Sequence, residues 1–295
     1  MSNGYPVGGE HVRRRTLLAG GLAALAVGVS GCGIKLLPTK PEPPATVESL
    51  ISTTPFYIAH RGGGDNWPEM TAYAYDQASQ LPWLKAIEIS VCRTADGVLV
   101  CSHDATTERM TGVNYTIANE TWATLSTLKV TSAFTLDPSQ PSRPLARFDE
   151  VIEKHIGRLV AFVEPKTPDA LEPLMARMAQ LGQPERVVWK QPINQPNFQA
   201  AKSHGFATWG YVLDEPGHMG DRLKQFAASS TIDMIGAQRS QSDSQLVPVI
   251  QAAADNGKKS IIWNIRNAED RSRGLRLGCQ GMMTSNIAEV PDIPL

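Results

Sequence analysis

The feature that most constrains the fold of this sequence is a repeated alternation of short apolar strand patterns with helical patterns. Short apolar runs between turn signals predict strands, and apolar residues recurring every three or four positions predict helices. The predicted strands cover residues 56–61, 86–91, 158–164, 187–190, 207–212, 232–235, 260–264 and 281–284. The predicted helices cover residues 67–79, 119–128, 148–155, 169–181, 197–204, 218–228, 244–256 and 269–277. Eight predicted strands, seven of them followed by a helical stretch, match the number of strands that a closed (β/α)8 barrel requires.

Length and composition agree with such a barrel. The chain has 295 residues, of which 42% are hydrophobic, and 250 remain after the first 45 are removed. A (β/α)8 barrel typically has ~250 residues. An open doubly wound sheet is the main alternative, but no phosphate-binding glycine fingerprint follows a predicted strand. We therefore predict the α/β class and a single TIM-barrel domain over residues 46–295. The formal net charge of −1 gives no reason to expect a nucleic-acid partner.

The first 45 residues carry an export pattern. Arginines followed by two leucines (13–18) precede an apolar run over 19–29, which is too short to span a bilayer. The pattern resembles a twin-arginine export signal, and an ordinary secretory signal would read similarly. The residues that end at Cys32 resemble a bacterial lipobox, and the alternative is a cysteine that merely lies near a cleavage site. We predict a signal peptide over 1–31, a proline-rich linker over 32–45, and an exported protein anchored to the bacterial cell membrane by lipid on Cys32.

Residues 87–104 form a predicted β-hairpin that ends in a His-Asp pair. Its two alternating strands flank Asp96-Gly97, a dipeptide that favours a two-residue type I′ turn. Counting outward from that turn places Ser90 opposite His103. The return strand runs antiparallel to its partner, whereas successive barrel strands are parallel. We therefore predict that the hairpin is an excursion at the C-terminal rim of the barrel.

The same register determines how the cysteines of the hairpin are interpreted. Cys92 lies opposite Cys101 when the turn has two residues, at a pair where side chains approach closely. In an exported protein this arrangement predicts a Cys92–Cys101 disulfide. Cys279 is then left as a small buried apolar residue. The competing interpretation, a structural zinc site, has too few soft ligands on the hairpin.

Polar side chains lie at the ends of the first three predicted strands. They are His60 and Arg61, then Glu88 and Ser90, then Glu164 and Lys166. The carboxyl ends of barrel strands meet at one rim, which carries the active site in this fold. There His60 and His103 can divide general-base and general-acid work, and the carboxylates, with Glu69, are hard oxygen ligands for Mg²⁺ or Ca²⁺. Arginine and lysine suit a phosphate, so the residues predict metal-assisted attack on a phosphodiester.

Several motifs resemble the glycerophosphodiester phosphodiesterase family. They are Ala59-His60-Arg61-Gly62, Pro68-Glu69-Met70-Thr71, Glu88-Ile89-Ser90-Val91, Thr94-Ala95-Asp96-Gly97, His103-Asp104 and Glu164-Pro165-Lys166. The resemblance extends over essentially all of residues 46–295 and implies a TIM barrel that hydrolyses glycerophosphodiesters or related lipid headgroup diesters. It implies an acid–base pair (His60, His103), substrate-phosphate contacts (Arg61, Lys166) and ligands of a divalent metal (Glu88, Glu164, Glu69 and, weakly, Ser90).

The chain departs from the family pattern at three of these positions. The family usually has aspartate where this chain has Ser90 and Ser285, and asparagine where it has Met70. Ser90 replaces an anionic ligand with a neutral hydroxyl, which weakens the binding of a hard cation. Ser90 therefore leaves open a ligand-binding lipoprotein with impaired catalysis on the same barrel. The resemblance also leaves open phospholipase-D-like cleavage of an intact lipid, as in relatives on this barrel.

Overall fold

The computed structural model describes residues 43–195, 197–213 and 220–291. The predicted signal peptide, Cys32 and most of the predicted linker lie outside these residues. Within the described residues, no helix is both long enough and apolar enough to cross a bilayer. Near the start of the described residues, the Ala45 N–H donates to the carbonyl of Arg158 at 3.0 Å.

Eight parallel strands close into a barrel, which confirms the predicted (β/α)8 fold. The strands of the described residues are β1 Phe56–Ala59, β2 Ala86–Arg93, β3 Leu99–Cys101, β4 Lys129–Val130, β5 Arg143–Pro144, β6 Val160–Pro165, β7 Val187–Pro192, β8 Ala207–Val212, β9 Met234–Gln238, β10 Lys259–Ile265 and β11 Gly281–Thr284. The barrel runs in the order β1, β11, β10, β9, β8, β7, β6, β2, and β2 pairs with β1 to close it. β3 is the antiparallel return strand of the hairpin, and β4 and β5 form a separate two-stranded sheet.

Helices surround the barrel. They are α1 Val47–Ile51, α2 Ala72–Ser79, α3 Glu108–Thr111, α4 Trp122–Leu125, α5 Phe148–His155, α6 Pro168–Gln180, α7 Phe198–Ser203, α8 Gly220–Ala228, α9 Asp243–Asp255 and α10 Ala268–Arg276. α2 begins later than predicted because the Thr71 side chain caps it, accepting the Ala74 N–H at 3.1 Å. The predicted helix over 119–128 is reduced to a 3₁₀ turn and the short α4.

Side chains alternate between the barrel interior and the layer between strands and helices, as the period of two in a strand requires. In β6, Phe162 belongs to the interior cluster, and its neighbour Val163 packs in the outer layer. The interior is filled largely by aromatic and aliphatic residues, including Trp209 and Phe162, whose rings meet edge to face at 5.9 Å. Val47 and Leu50 of α1 pack against the same interior cluster. The barrel interior is therefore a packed apolar core, in which an inward-pointing polar side chain needs a hydrogen-bond partner.

The hairpin differs from the prediction by one residue in register. Val91 lies opposite Cys101 and Cys92 opposite Val100, so the predicted pairing is wrong. The loop has three residues, because the Thr94 N–H donates to the Val98 carbonyl at 2.9 Å. Asp96 does not take the positive φ that a type I′ turn needs. Only Gly97 is left-handed, at φ 88°, which is the arrangement of a type I turn followed by a bulge residue.

Local hydrogen bonds explain why the three-residue loop forms. The Asp96 carboxylate accepts the Thr94 hydroxyl and also the backbone N–H of Trp122 at 3.0 Å. The Thr94 hydroxyl in turn accepts the Val98 N–H at 2.9 Å. Asp96 is therefore fixed by groups inside and outside the hairpin. As a result, Ser90 faces Ser102, whose N–H donates to the Ser90 carbonyl at 3.0 Å, and not His103.

The one-residue shift also removes the predicted disulfide. Successive strand residues point to opposite faces, so Cys92 and Cys101 now lie on different faces of the hairpin. Both are buried free thiols, as is Cys279. Burial raises the pKa of Cys92 to about 12 and that of Cys279 to about 11. These thiols are therefore protonated and unreactive near neutral pH.

Gly236 of β9 tests the packing of the barrel interior. A Cβ atom there would lie 2.5 Å from both the Ile261 carbonyl oxygen and the indole nitrogen of Trp209. We expect Gly236→Ala to lower the free energy of unfolding by about 1–3 kcal/mol through overpacking, measured by urea denaturation. Gly157→Ala is the control, because a Cβ atom there meets no atom within 4 Å and the residue has no positive φ. Equal stability of the two variants would contradict this packing.

Candidate active site

The carboxyl ends of the barrel strands surround a cavity of about 640 Å³. Six of the predicted site residues line it, namely His60, Arg61, Glu69, His103, Glu164 and Lys166. Glu88 and Ser90 of β2 are completely buried, and the Ser90 hydroxyl donates to Glu88 Oε1 at 2.9 Å. The rim cluster expected from the strand ends is therefore present in the structure.

His60 is held directly after β1 by an unusual backbone turn. Arg61 has φ 54°, a left-handed conformation that is uncommon for residues other than glycine. Its N–H donates to Glu88 Oε2 at 2.9 Å, which supports this conformation. His60 Nδ1 lies 2.8 Å from Ser285 Oγ, which follows β11. Burial and the charge of Arg61 lower the pKa of His60 well below its usual value of 6.5, so the ring is neutral at pH 7.

His103 follows the return strand of the hairpin and is held by its neighbour Asp104. The distance from His103 Nδ1 to Asp104 Oδ1 is 2.7 Å, and Arg109 Nε donates to the other oxygen at 2.6 Å. An ionised carboxylate only accepts, so Nδ1 carries the proton and Nε2 faces Lys166 Nζ at 3.5 Å. Burial lowers the pKa of His103, and the hydrogen bond to Asp104 offsets only part of this effect. His103 is thus a neutral imidazole with an oriented Nε2.

Glu69 does not join the other carboxylates. Arg61 Nη1 donates to Glu69 Oε1 at 3.0 Å, and Arg109 Nη2 donates to the same oxygen at 2.7 Å. Two guanidinium groups therefore neutralise Glu69 on the outer side of the site. Its predicted role as a metal ligand is not supported, because short charge-assisted bonds to arginine already occupy this carboxylate.

Glu88 and Glu164 converge on Lys190, which is not among the predicted site residues. Lys190 Nζ donates to Glu88 Oε1 at 2.8 Å and to Glu164 Oε2 at a shorter distance. Glu164 Oε1 accepts from Lys166 Nζ at 3.0 Å and from the Tyr211 hydroxyl. Burial alone would raise the pKa of Glu88, but the charges of Lys190 and its other neighbours hold it well below its usual range. For Glu164, the same charges of Lys190 and Lys166 outweigh burial and lower the pKa.

The residues do not fit the predicted divalent metal. Across residues 43–195, 197–213 and 220–291, no three His, Cys, Asp or Glu side chains are grouped to hold a metal ion. The two carboxylates that do converge share the ammonium group of Lys190 between them. Ser90 is neutral and acts as a hydrogen-bond donor to Glu88. The predicted ligand set of Glu88, Glu164, Glu69 and Ser90 is therefore not assembled, and no chemical step below passes through a metal.

Lys190 and Tyr211 had a recognisable signal in the sequence. Each belongs to a predicted strand in which alternate residues, such as Val188 and Trp209, point into the barrel. A lysine on the inward face of a buried parallel strand is rare unless it is paired. Arg109 had no comparable signal, because the short helix α3 that carries it reaches the cavity only in the closed barrel. Ser285 was noted in the sequence only as a departure from the family pattern.

Comparison with known proteins identifies the lineage of this site. The model of the glycerophosphoryl diester phosphodiesterase family matches residues 60–289. A glycerophosphodiester phosphodiesterase of Caldanaerobacter subterraneus subsp. tengcongensis is 25% identical over 240 residues, covering 78% of this chain and 93% of that protein. Glycerophosphodiester phosphodiesterase GDPD6 of Arabidopsis thaliana is 34% identical over 94 residues. That match covers 31% of this chain and only 25% of the length of the Arabidopsis protein.

Solved structures share the same barrel. The structure of an Oleispira antarctica phosphodiesterase in complex with the product sn-glycerol-3-phosphate matches with a TM-score of 0.63 at 22% sequence identity. The likeness covers 81% of this chain and 96% of that one. At this identity the likeness establishes the fold alone, and the family model supplies the assignment. The chain belongs to the glycerophosphoryl diester phosphodiesterase family.

Proposed function

We propose that this protein hydrolyses glycerophosphodiesters by acid–base catalysis between His60 and His103. The observation that carries the proposal is that both imidazoles line one cavity with Arg61 and Lys166. Two histidines can divide the work of taking a proton from the attacking group and giving one to the leaving oxygen. The family assignment and the product complex of the Oleispira relative support the same class of substrate.

The two histidines differ in how readily they hold a proton. His103 has an ionised partner in Asp104, whose pKa is held low by the His103 and Arg109 hydrogen bonds despite partial burial. The hydrogen-bond partner of His60 is the neutral Ser285 hydroxyl, and the nearby charge of Arg61 disfavours the protonated ring. We therefore assign protonation of the leaving oxygen to His103 and proton abstraction to His60. To act as the acid, His103 must carry a proton on both ring nitrogens. A bound phosphodiester anion favours this form, because an opposite charge raises the pKa of the ring.

Arg61 and Lys166 supply the donors for the phosphate. Arg61 Nε is buried and has no hydrogen-bond partner among the described residues, so it is available to a phosphate oxygen. Lys166 Nζ bonds Glu164 and faces His103, which leaves a third proton for a ligand. Phe134 and Leu213, both more than half exposed, line the same cavity and supply an apolar surface for part of a lipid-derived substrate.

Removing either histidine tests this mechanism. We expect His60→Ala and His103→Ala each to lower kcat/KM for sn-glycero-3-phosphocholine by about 10²–10⁴-fold, measured by release of glycerol phosphate. His204→Ala is the matched control, because His204 is exposed and stacks on Phe206 away from the cavity. Undiminished turnover in both histidine variants would refute the acid–base pair.

The same assay separates the two alternative functions. Release of free headgroup from intact phospholipid, without turnover of the glycerophosphodiester, would favour phospholipase-D-like cleavage. Saturable binding of the diester without turnover would favour the ligand-binding lipoprotein.

The burial of His60 also predicts how stability depends on pH. Between the lowered pKa of His60 and 6.5, the unfolded chain binds a proton that the folded protein does not. The free energy of unfolding therefore falls as the pH decreases below 6.5. We expect this decline, measured by urea unfolding, to be shallower in His60→Asn by up to about 1.4 kcal/mol per pH unit. Identical slopes in the wild type and His60→Asn would exclude a neutral, buried His60.

We also propose that the protein is exported and anchored to the bacterial cell membrane. The arginine-leucine pattern over residues 13–18 and the lipobox-like residues before Cys32 support this proposal. A lipid anchor tethers a protein without spanning the membrane, and it would hold the cavity near lipid-derived diesters.

Lipidation of Cys32 can be measured directly. We expect the full-length protein, expressed in a bacterium, to incorporate labelled palmitate and to fractionate with membranes. Cys32→Ser should lose both properties, whereas Cys279→Ser, which changes a buried thiol of the barrel, should keep them. Equal labelling of the wild type and Cys32→Ser would contradict the lipid anchor.

A further inference from the structure

Enzymes of this family generally depend on a divalent metal ion, and Lys190 lies between the carboxylates that would hold it. Lys190 belongs to β7 and points into the barrel above Val188. It is 5% exposed, and its ammonium group bonds both Glu88 and Glu164. The rings of Tyr211 and Trp209 lie beside it, with centroids 5.4 and 5.7 Å from Nζ. The ammonium group is therefore enclosed by two anions and two aromatic side chains.

Every oxygen of the two carboxylates already accepts a hydrogen bond. Glu88 Oε1 accepts from Ser90 and Lys190, and Oε2 accepts the Arg61 N–H. Glu164 Oε1 accepts from Lys166 and the Tyr211 hydroxyl, and Oε2 accepts from Lys190. A divalent cation would have to displace these donors, because it needs carboxylate oxygens within about 2.0–2.6 Å.

The charges of the cluster are balanced without a metal ion. Two carboxylates, Glu88 and Glu164, face two ammonium groups, Lys190 and Lys166. Lys190 Nζ lies within hydrogen-bond distance of Glu88 Oε1 and of Glu164 Oε2, so two carboxylates match its positive charge. Adding a divalent cation would place two further positive charges beside the buried ammonium group of Lys190, which low-dielectric surroundings make costly.

We infer that the Lys190 ammonium group is a fixed internal cation that takes the place of the divalent metal, so that this enzyme works without one. The inference rests on the proposed phosphodiesterase function. Lys190 acts as a positioning residue: it orients Glu88, which holds the Arg61 N–H and thereby the turn that carries His60. Through Glu164 it also orients Lys166, which faces His103.

Metal binding to the wild-type protein is the first test, and it does not require activity. The full chain is dialysed against a chelator and titrated calorimetrically with Mg²⁺ and with Ca²⁺. We expect no saturable heat at either metal, and a change in Tm below about 1 °C at about 5 mM metal, because a ligand that does not bind cannot stabilise. We also expect hydrolysis of sn-glycero-3-phosphocholine to differ by less than about 2-fold with chelator, Mg²⁺ or Ca²⁺.

Removing the ammonium group is the second test. Lys190→Met keeps an unbranched side chain that ends one atom short of the ammonium nitrogen, and it leaves Glu88 and Glu164 without their shared cation. We expect kcat/KM to fall by about 100-fold or more, and Mg²⁺ or Ca²⁺ now to raise Tm by several degrees. Lys190→Arg keeps the charge and should show no metal-dependent rise in Tm. Lys202→Met is the control, because Lys202 bonds Asp233 outside the cavity, so activity and metal response should match the wild type.

The outcomes distinguish this inference from the proposed function. A wild-type protein that binds Mg²⁺ or Ca²⁺ saturably, or whose activity disappears with chelator and returns with metal, overturns the role of Lys190 but leaves the phosphodiesterase function intact. A wild-type protein without turnover refutes the function, and its metal titration still decides whether Lys190 excludes the cation. If Lys190→Met does not fold, as judged by circular dichroism, the wild-type titration alone is decisive.

Discussion

The contact of one buried ammonium group with two carboxylates organises the carboxyl-terminal end of this barrel. Lys190 bonds Glu88 and Glu164, and each carboxylate then holds groups on its other side. Glu88 fixes the backbone after β1, and Glu164 fixes Lys166. Ion pairs in a buried site need such complete hydrogen bonding, because the loss of hydration is repaid only when the remaining lone pairs and protons have partners. The positions of both histidines follow from this network.

The fold was predictable because its signal is local and repeated. The alternation of side chains in a strand and the periodicity of the helix that follows it can both be read from short segments. Eight such strands in one chain are compatible with few folds, of which the (β/α)8 barrel is one. The rim cluster was predictable for a related reason: parallel strands end on the same side, so His60, Glu88 and Glu164 had to meet there. The family motifs added the roles of the histidines, and the structure adds their protonation states through burial and neighbouring charge.

The remaining details depend on contacts between distant parts of the chain. The hairpin register is set partly by the N–H of Trp122, 26 positions after the Asp96 that accepts it, which a reading of Asp96-Gly97 alone could not include. Glu69 accepts a hydrogen bond from Arg109, 40 positions away, and therefore lies apart from Glu88 and Glu164. Lys190 and Glu88 are 102 positions apart. In each case a charged or polar group had several possible partners in the sequence, and closure of the barrel selects among them.

The three-residue hairpin loop has a consequence for where this chain can mature. Because Cys92 and Cys101 point to different faces, the barrel reaches its final packing with all of its described thiols reduced. Cross-linking by oxidation is therefore not a step in its folding, and a reducing compartment is no obstacle to it. Folding of the barrel therefore places no redox requirement on the compartment in which it occurs.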